Sequence, residues 1–429
     1  MTPAAHVAAA IEILADLAAR RRPAADAVKD WGVSHRFAGS RDRAAISNLI
    51  YDSLRKRASA AFLMGEETPR ALMIGALREA RGLAPDAIGA LFSGEGHAPA
   101  PLTVQEIERL SHTLAEAPDA VRGDYPEWLA ERFAAAFGET AASEGAALAM
   151  RAPIDLRVNI LKLSRDDALA RLDHLAPQET PLSPLGLRLA PGPTGRGPAL
   201  AAEPAYARGY VETQDEASQL AALLCAAEPG EQTLDLCAGG GGKTLALAGQ
   251  MHNRGQIYAH DSDGRRLTPI IDRLERAGAR NVQLRAPRGK ADVLADLVGR
   301  CDLVLIDAPC TGTGTWRRHP DAKWRLSPGA LEQRVVEQRD LLTQGARYVR
   351  SGGRMVYVTC SVLRDENEAQ IAAFLTEAPG FAAVAATEMT ARAGLPELAR
   401  FASPHGAGLR FSPHSSNTDG FYVAMLEKA

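Results

Sequence analysis

Aromatic residues are scarce in this chain: Phe, Trp and Tyr make up 5% of its 429 residues. Cysteine is scarcer, with five positions (Cys225, Cys237, Cys301, Cys310 and Cys360), all in the second half. The number is odd and no CxxC pair or His-rich cluster accompanies it. A disulfide framework is therefore excluded, a zinc site has no support, and a reducing cytosol is the expected setting. No run of about 18 uncharged apolar residues occurs, which argues against a membrane span. The opening MTPAAHVAAAIEILADL carries Glu12 and Asp16 within its apolar stretch and has no basic leader before it, so it reads as an amphipathic helix rather than a signal peptide. Neither sign of charge dominates: 49 Lys+Arg against 52 Asp+Glu leave a formal net charge of -3. What is present is ordinary for a folded chain, with 46% hydrophobic and 24% charged residues, and wholesale disorder is excluded. The length suggests two or three domains and ample core. The expectation is a cytoplasmic protein.

Residues 1 to 140 read as helical throughout. Apolar residues recur at helical spacing in Ile11, Leu14, Leu17 and Ala18, and again in Ile46, Leu49, Ile50 and Leu54. Short polar, Gly- or Pro-rich interruptions fall at 65–69 and 93–101. Between Arg20 and Arg57 ten basic residues face four acidic ones, although the whole chain is slightly acidic. Such a stretch either neutralises phosphates or merely solvates a helical surface. Residues 141 to 215 form a small α+β connector, with a strand at 156–160, a helix at 165–175, and a Pro/Gly-dense loop at 177–209 whose only strand-like piece is 185–189. From 216 to 429 strands and helices alternate. Strands are expected at 233–237, 256–260, 302–306, 355–358 and 421–426, with a helix at 243–250, one carrying Leu267, Ile270, Ile271 and Leu274, and a long one from about 329 to 349. Repeated βα units specify a doubly wound, mostly parallel sheet whose ligands lie beyond the carboxyl ends of its strands.

The glycine-rich stretch DLCAGGGGKT (Asp235 to Thr244) fits that position. A P-loop needs a glycine five places before Gly242, where Cys237 stands; a dinucleotide fingerprint needs a third glycine where Thr244 or Leu245 stands. The pattern of an acid followed by small residues, Asp235, Gly239 and Gly241, is that of an S-adenosylmethionine loop. Small residues let the backbone approach the cofactor, and a helix N-terminus can hold its carboxylate. Asp261, at the end of the next strand, stands where a ribose-binding acid is needed. The plainer alternative is a tight turn.

Cys310 follows one hydrophobic strand and Cys360 another, each beside hydroxyl residues. A lone cysteine at such a place is most often small core filling. A pair on neighbouring strands suits methylation of a pyrimidine at C5: a thiolate adds to C6, C5 becomes enamine-like and takes a methyl group, and loss of the C5 proton lets the thiolate leave. Asp307 is placed as the acid that protonates N3. The stretch after Cys310 interleaves cations and indoles (Trp316, Arg317, Arg318, His319, Lys323, Trp324), which can stack unpaired bases and hold phosphates, or can be a solvated loop with buried tryptophans.

These motifs together (DLCAGGGGKT, DAPCTGTGTWRRHPDAKW, VTCSVLRDENEAQ, QDEASQ at 214–219 and DGFYVAML at 419–426) resemble the NOL/NOP/Sun family of RNA 5-methylcytosine methyltransferases, and most closely its bacterial RsmB (Sun/Fmu) type. The stretch RFAGSRDRAAISNLIYDSLRKR is similar to the NusB-like helical RNA-binding domain of that type. The resemblance implies a class I (Rossmann-like) methyltransferase domain with S-adenosyl-L-methionine as cofactor, held by Asp235, Cys237, Ala238, Gly239, Gly240, Gly241, Gly242, Lys243, Asp261, Arg266, Asp307 and Pro309. It implies Cys360 as nucleophile, Cys310 assisting product release, Asp307 contacting cytosine and Lys243 in the active site. RNA contacts fall to Arg41, Arg43, Arg55, Lys56 and Arg57 and to the six cations and indoles named above. The expected partner is ribosomal RNA, with no metal, no membrane and a monomeric chain. One departure stands out: the family's usual acid after the third strand is missing, since Gln283-Leu284-Arg285-Ala286-Pro287 offers none before Asp292. The rival readings are a transfer-RNA methyltransferase and a non-catalytic RNA-binding assembly factor.

Overall fold

Thr2 opens the first helix by accepting the Ala5 N–H on its hydroxyl, with Pro3 in the first turn, where its missing donor does no harm. The same device recurs at Thr68, which caps the helix Pro69–Glu79. The computed structural model describes residues 1–190, 197–289 and 291–429, and the chain divides into two units.

The first unit comprises Met1–Arg151 together with Trp316–Ser327. It is helical, from Pro3–Arg20 to Ala141–Leu148, and is consistent with a NusB-like domain. Its core joins Ile13, Leu14, Ile46, Leu49, Ile50, Met73 and Ile74. Ile11 and Leu17 pack at the margin and Ala18 is exposed, so the first helix buries a narrower stripe than its sequence suggests.

The second unit holds Ala152–Thr315 and Pro328–Ala429. Its first part is a four-stranded antiparallel sheet of β1 (Ile154–Val158), β2 (Gln178–Glu179), β3 (Gly186–Leu189) and β4 (Val211–Thr213), in the order β2-β3-β1-β4. The helix Arg165–Leu172 follows β1, capped by Ser164. The 177–209 loop is more structured than its composition suggests: besides β3 it contains β2 and a short helix at Pro204–Ala207, while its residues 191–196 lie outside those described.

The larger sheet contains β5 (Gln232–Asp235), β6 (Gln256–Ala259), β7 (Val282–Leu284), β8 (Cys301–Asp307), β9 (Val349–Thr359), β10 (Phe381–Ala383), β11 (Leu409–Phe411) and β12 (Phe421–Lys428). The order is β10-β12-β9-β8-β5-β6-β7, with β11 beside β12; β5 to β9 run parallel and β12 is antiparallel to β9. This is the Rossmann-like doubly wound sheet, and its order reverses between β5 and β8, the place where such sheets open a ligand crevice. The long helix ends at Ala346 and β9 begins at Val349, earlier than the sequence suggests. The polar, Gly-rich Arg350-Ser351-Gly352-Gly353 conceals the strand's first half, which enters beside Cys301 through an irregular register. Pro269 divides the expected helix after β6 into a 3-10 turn, Gly264–Leu267, and the helix Ile270–Ala277, on which Ile271 is exposed. Among the described residues no helix is long and apolar enough to cross a membrane.

Candidate active site

Three chain ends of the parallel sheet converge at the β5/β8 crevice. The chain leaves β5 at Asp235 and turns through Cys237 and Ala238 into the glycines before the helix Gly242–Gln250 begins. Gly239 and Gly241 take left-handed φ of 50° and 81°. A Cβ on Gly241 would lie 2.3 Å from Ile270 Cγ1, so no other residue fits there without rearrangement. Ala238 N–H donates to the His260 carbonyl and Gly241 N–H to the Ala238 carbonyl. Arg273 braces the loop from outside: it donates to the Gly240 carbonyl and pairs with Glu212 on β4 at 3.0 Å. The small sheet is thus fastened to the glycine loop.

Asp235 is fully buried. One of its oxygens accepts from Thr244 Oγ1 at 2.7 Å, and Oδ1 has no partner. Burial, opposed by the Thr244 hydrogen bond and reinforced by Asp307, pushes its carboxyl up to about 7. Asp261, also buried, accepts from Gly239 N–H at 3.1 Å, from Asp263 N–H, and from Arg266 at 3.1 Å. Burial, with Asp235 nearby, holds the Cys237 thiol well above its usual range. An orphaned buried carboxylate oxygen beside a glycine cradle is what a small cationic ligand with a ribose would need, and these residues fit S-adenosylmethionine. Asp292 does not fill the missing acid's place: it is exposed and its Oδ1 caps the Leu294 N–H.

The helix Gly242–Gln250 projects Lys243 inward, where its Nζ lies 2.8 Å from Asp307 Oδ2 at the end of β8 and 5.2 Å from the centre of the Phe421 ring. Burial alone would lower the ammonium's pKa; the charge and hydrogen bond of Asp307, with Cys360 and Asp235, outweigh it and raise it. Because β8 and β9 are adjacent and parallel, the chain past each brings Cys310 and Cys360 together, with Sγ atoms 3.3 Å apart. Both are half-buried and free. The hydrogen bond to Cys360, then burial and the Cys360 and Glu366 charges, hold the Cys310 thiol well above its usual range.

Polar side chains that the sequence reading did not single out fix these two turns. Glu366 accepts Thr311 N–H at 2.8 Å, Thr311 Oγ1 at 2.5 Å and Gln338 Nε2 at 3.0 Å. Gln338 also donates to the Pro309 carbonyl. Asn367 pairs with Thr359 Oγ1 and donates to the Ser361 carbonyl, and Thr313 and Ser361 share a hydroxyl contact at 3.0 Å. Glu366, Asn367 and Phe421 lie inside VTCSVLRDENEAQ and DGFYVAML, so their signal was position within a motif rather than residue type.

The residues expected to contact RNA divide differently. Trp316 is buried and stacks on Phe133, with ring centres 5.9 Å apart, and Lys323 is buried against Trp316 and Trp324. Burial, with Lys56 and Arg55 partly offset by Asp124, lowers the Lys323 ammonium to about 7. As placed, neither Trp316 nor Lys323 offers a face to a base or phosphate; the segment's apolar rings complete the packing of the helical unit instead. Trp324 is half-buried and donates to the Leu54 carbonyl; Arg317 is buried, Arg318 half-buried and His319 exposed. Arg55 donates to the Met150 carbonyl, Lys56 pairs with Asp124 and Arg57 with Glu67, so these three cations are committed to internal partners. Arg41 and Arg43 are exposed, although Arg43 Nε donates to the Ala38 carbonyl. Among the described residues no group of three or more His, Cys, Asp or Glu is arranged to hold a metal.

Comparison with known proteins places the site in context. Residues 222–427 match the family described as 16S rRNA methyltransferase RsmB/F, and residues 125–193 match the ferredoxin-like domain described as Methyltr_RsmF/B-like. A probable ribosomal RNA small subunit methyltransferase B from Synechocystis is 34% identical over 315 residues, covering 71% of this chain and 67% of that protein. Ribosomal RNA small subunit methyltransferase B from Sodalis glossinidius is 36% identical over 318 residues, 73% of this chain and 68% of the relative. Among solved structures, a methyltransferase homolog from Pyrococcus horikoshii superposes with a TM-score of 0.58 at 27% identity, covering 72% of this chain and 98% of that one. PH0851 superposes with a TM-score of 0.71 at 24% identity, over 100% of this chain and 99% of that one.

Proposed function

Because the chain belongs to the RsmB/F family of 16S rRNA methyltransferases, we propose that it converts a cytosine of 16S ribosomal RNA to 5-methylcytosine through a covalent Cys360 adduct. The observation that carries this reading is the pair of sulfurs 3.3 Å apart beside the Lys243–Asp307 ion pair. Cysteine adjacent to an ammonium is the arrangement that activates a thiolate.

Asp235, the glycine loop and Asp261 would hold S-adenosylmethionine, which would supply the methyl group. Cys360 forms a bond from its sulfur to C6 of the ring, and the electron pair displaced from the C5–C6 bond makes C5 nucleophilic. The Lys243–Asp307 pair places a proton at N3 as the ring gains charge. C5 takes the methyl group, which the cofactor would give up by breaking its sulfonium–carbon bond, then loses its proton to a base, and N3 returns its proton to the Lys243–Asp307 pair. The electrons of that C–H bond restore the C5–C6 double bond, the C6–S bond breaks, and Cys360 leaves as thiolate, with Cys310 assisting this release. Arg41, Arg43, Arg318, His319 and Trp324 remain the candidates for RNA contact, since each keeps accessible atoms.

The test is transfer of a labelled methyl group from S-adenosylmethionine to unmodified 16S ribosomal RNA, followed by digestion to nucleosides. Label in 5-methylcytidine supports the proposal. Label in transfer RNA alone favours the transfer-RNA reading, and no label in either RNA favours a non-catalytic factor.

A further inference from the structure

Two touching sulfurs share a hydrogen bond whose direction the heavy atoms leave open. The groups around them are not symmetric. Glu366 is wholly buried, follows the Cys360 turn in the chain and binds Thr311, the residue next to Cys310. Its contacts are three donors (Thr311 N–H, Thr311 Oγ1–H and the Gln338 amide), and among the described residues it has no ion pair. Thr311 N–H and the Gln338 amide nitrogen can only donate to it, which suits an ionised carboxylate. On the other side the Lys243 ammonium, bound to Asp307, faces Cys360. The groups that face Cys310 are Cys360, Glu366, the phenol of Tyr357, whose hydroxyl donates to the Glu366 carbonyl, and the Gly312 N–H, which donates to the sulfur and opposes Glu366 more weakly. None of these is a cation.

We propose that Glu366 is a positioning residue that keeps the proton of the sulfur pair on Cys310, so that Cys310 donates the hydrogen bond and Cys360 accepts it. A buried negative charge one residue from a thiol opposes a second negative charge on that sulfur; an ammonium beside the other sulfur favours one there. The raised pKa of Cys310 has the same direction. The two thiols, alike in chemistry and at equivalent ends of neighbouring strands, are thereby given different proton affinities by Lys243 on one side and by Glu366, which lies outside the glycine loop, on the other. The inference rests on the proposed function only in taking Cys360 as the nucleophile.

The test is alkylation of the full chain by iodoacetamide across a pH series, at low extents of modification, with each cysteine peptide quantified by mass spectrometry. In the wild-type protein Cys360 reacts at lower pH than Cys310. Glu366→Gln, which keeps an acceptor for Thr311 but removes the charge, moves the Cys310 profile down by about one pH unit, a tenfold gain in reactivity at fixed pH. Thr311→Val, which keeps the charge and removes one hydrogen bond, moves it much less. Wild-type Cys310 reacting at lower pH than Cys360 overturns the proposal, and this measurement needs no variant to fold. A Cys310 profile unmoved in folded Glu366→Gln, or moved as far by Thr311→Val, also overturns it. No RNA enters the assay, so the order of the thiols and the methylation activity fail or succeed separately.

Discussion

The sulfurs of Cys310 and Cys360 lie 3.3 Å apart because the strands that deliver them, β8 and β9, are neighbours in parallel register, Asp307 opposite Val358. Two residues 50 positions apart in the chain are closed into a contact tight enough for one sulfur to act on a bond made by the other. The two substitutions therefore have different outcomes. Cys360→Ala abolishes turnover and yields no adduct. Cys310→Ala forms the bond to RNA but releases it poorly, leaving an enzyme–RNA species that survives a denaturing gel. A fully active Cys310→Ala without adduct contradicts the two-thiol mechanism.

Asp235 gives the site a pH dependence whose sign is fixed. Burial raises its carboxyl to about 7 in the cofactor-free protein. S-adenosylmethionine is cationic at its sulfonium and amino groups, so it binds the ionised form better. Affinity rises with pH up to about 7 and levels off above it, falling by up to about tenfold per pH unit below. Titration calorimetry across that range shows the slope in the wild-type chain and its loss in Asp235→Asn. Since the folded carboxyl sits above its unfolded value, the cofactor-free protein also loses stability as pH rises through about 7.

The glycine loop separates one indispensable glycine from a tolerant one. At Gly241 a methyl group meets Ile270 at 2.3 Å on a backbone with φ of 81°, whereas at Gly242 the nearest atom is 3.7 Å away. Gly241→Ala costs about 1–3 kcal/mol of stability and weakens cofactor binding. Gly242→Ala leaves both nearly unchanged. Thermal melts with and without S-adenosylmethionine distinguish them.

Trp316 behaves as core. Its indole is 1% exposed and stacked on Phe133. Trp316→Ala destabilises the protein by about 3–5 kcal/mol, seen as a lower denaturant midpoint in the absence of RNA. Unchanged stability with reduced RNA affinity would return this residue to the RNA-contact role that its neighbours suggested.

The sheet was legible because its strands are hydrophobic runs closed by Asp235, Asp261, Asp307 and Thr359, and period and punctuation suffice to find such units. The meeting of Cys310 and Cys360 was legible for the same reason: adjacency of two strands follows from the βα repeat. The first half of β9 was not, because Arg350 to Gly353 carry no apolar signal and fall at the register shift between the Val349 and Arg354 pairings with β8. The clamp made by Glu366, Thr311 and Gln338 was also hidden. A buried carboxylate satisfied by a backbone N–H looks like any surface acid until the turn that offers the donor is in place. At Trp316 and Lys323 the sequence misled for the opposite reason. Interleaved cations and indoles describe an RNA-stacking loop and a buried aromatic seam equally well, and only packing against Phe133 and Leu54 separates them.

Bisulfite sequencing of ribosomal and transfer RNA from a strain lacking this gene, beside its parent, tests the central claim most directly. The account predicts loss of a single protected cytosine in 16S ribosomal RNA, restored by the wild-type gene and not by Cys360→Ala. An unchanged 16S profile would contradict it, whether the lost cytosine lay in a transfer RNA or no site were lost at all.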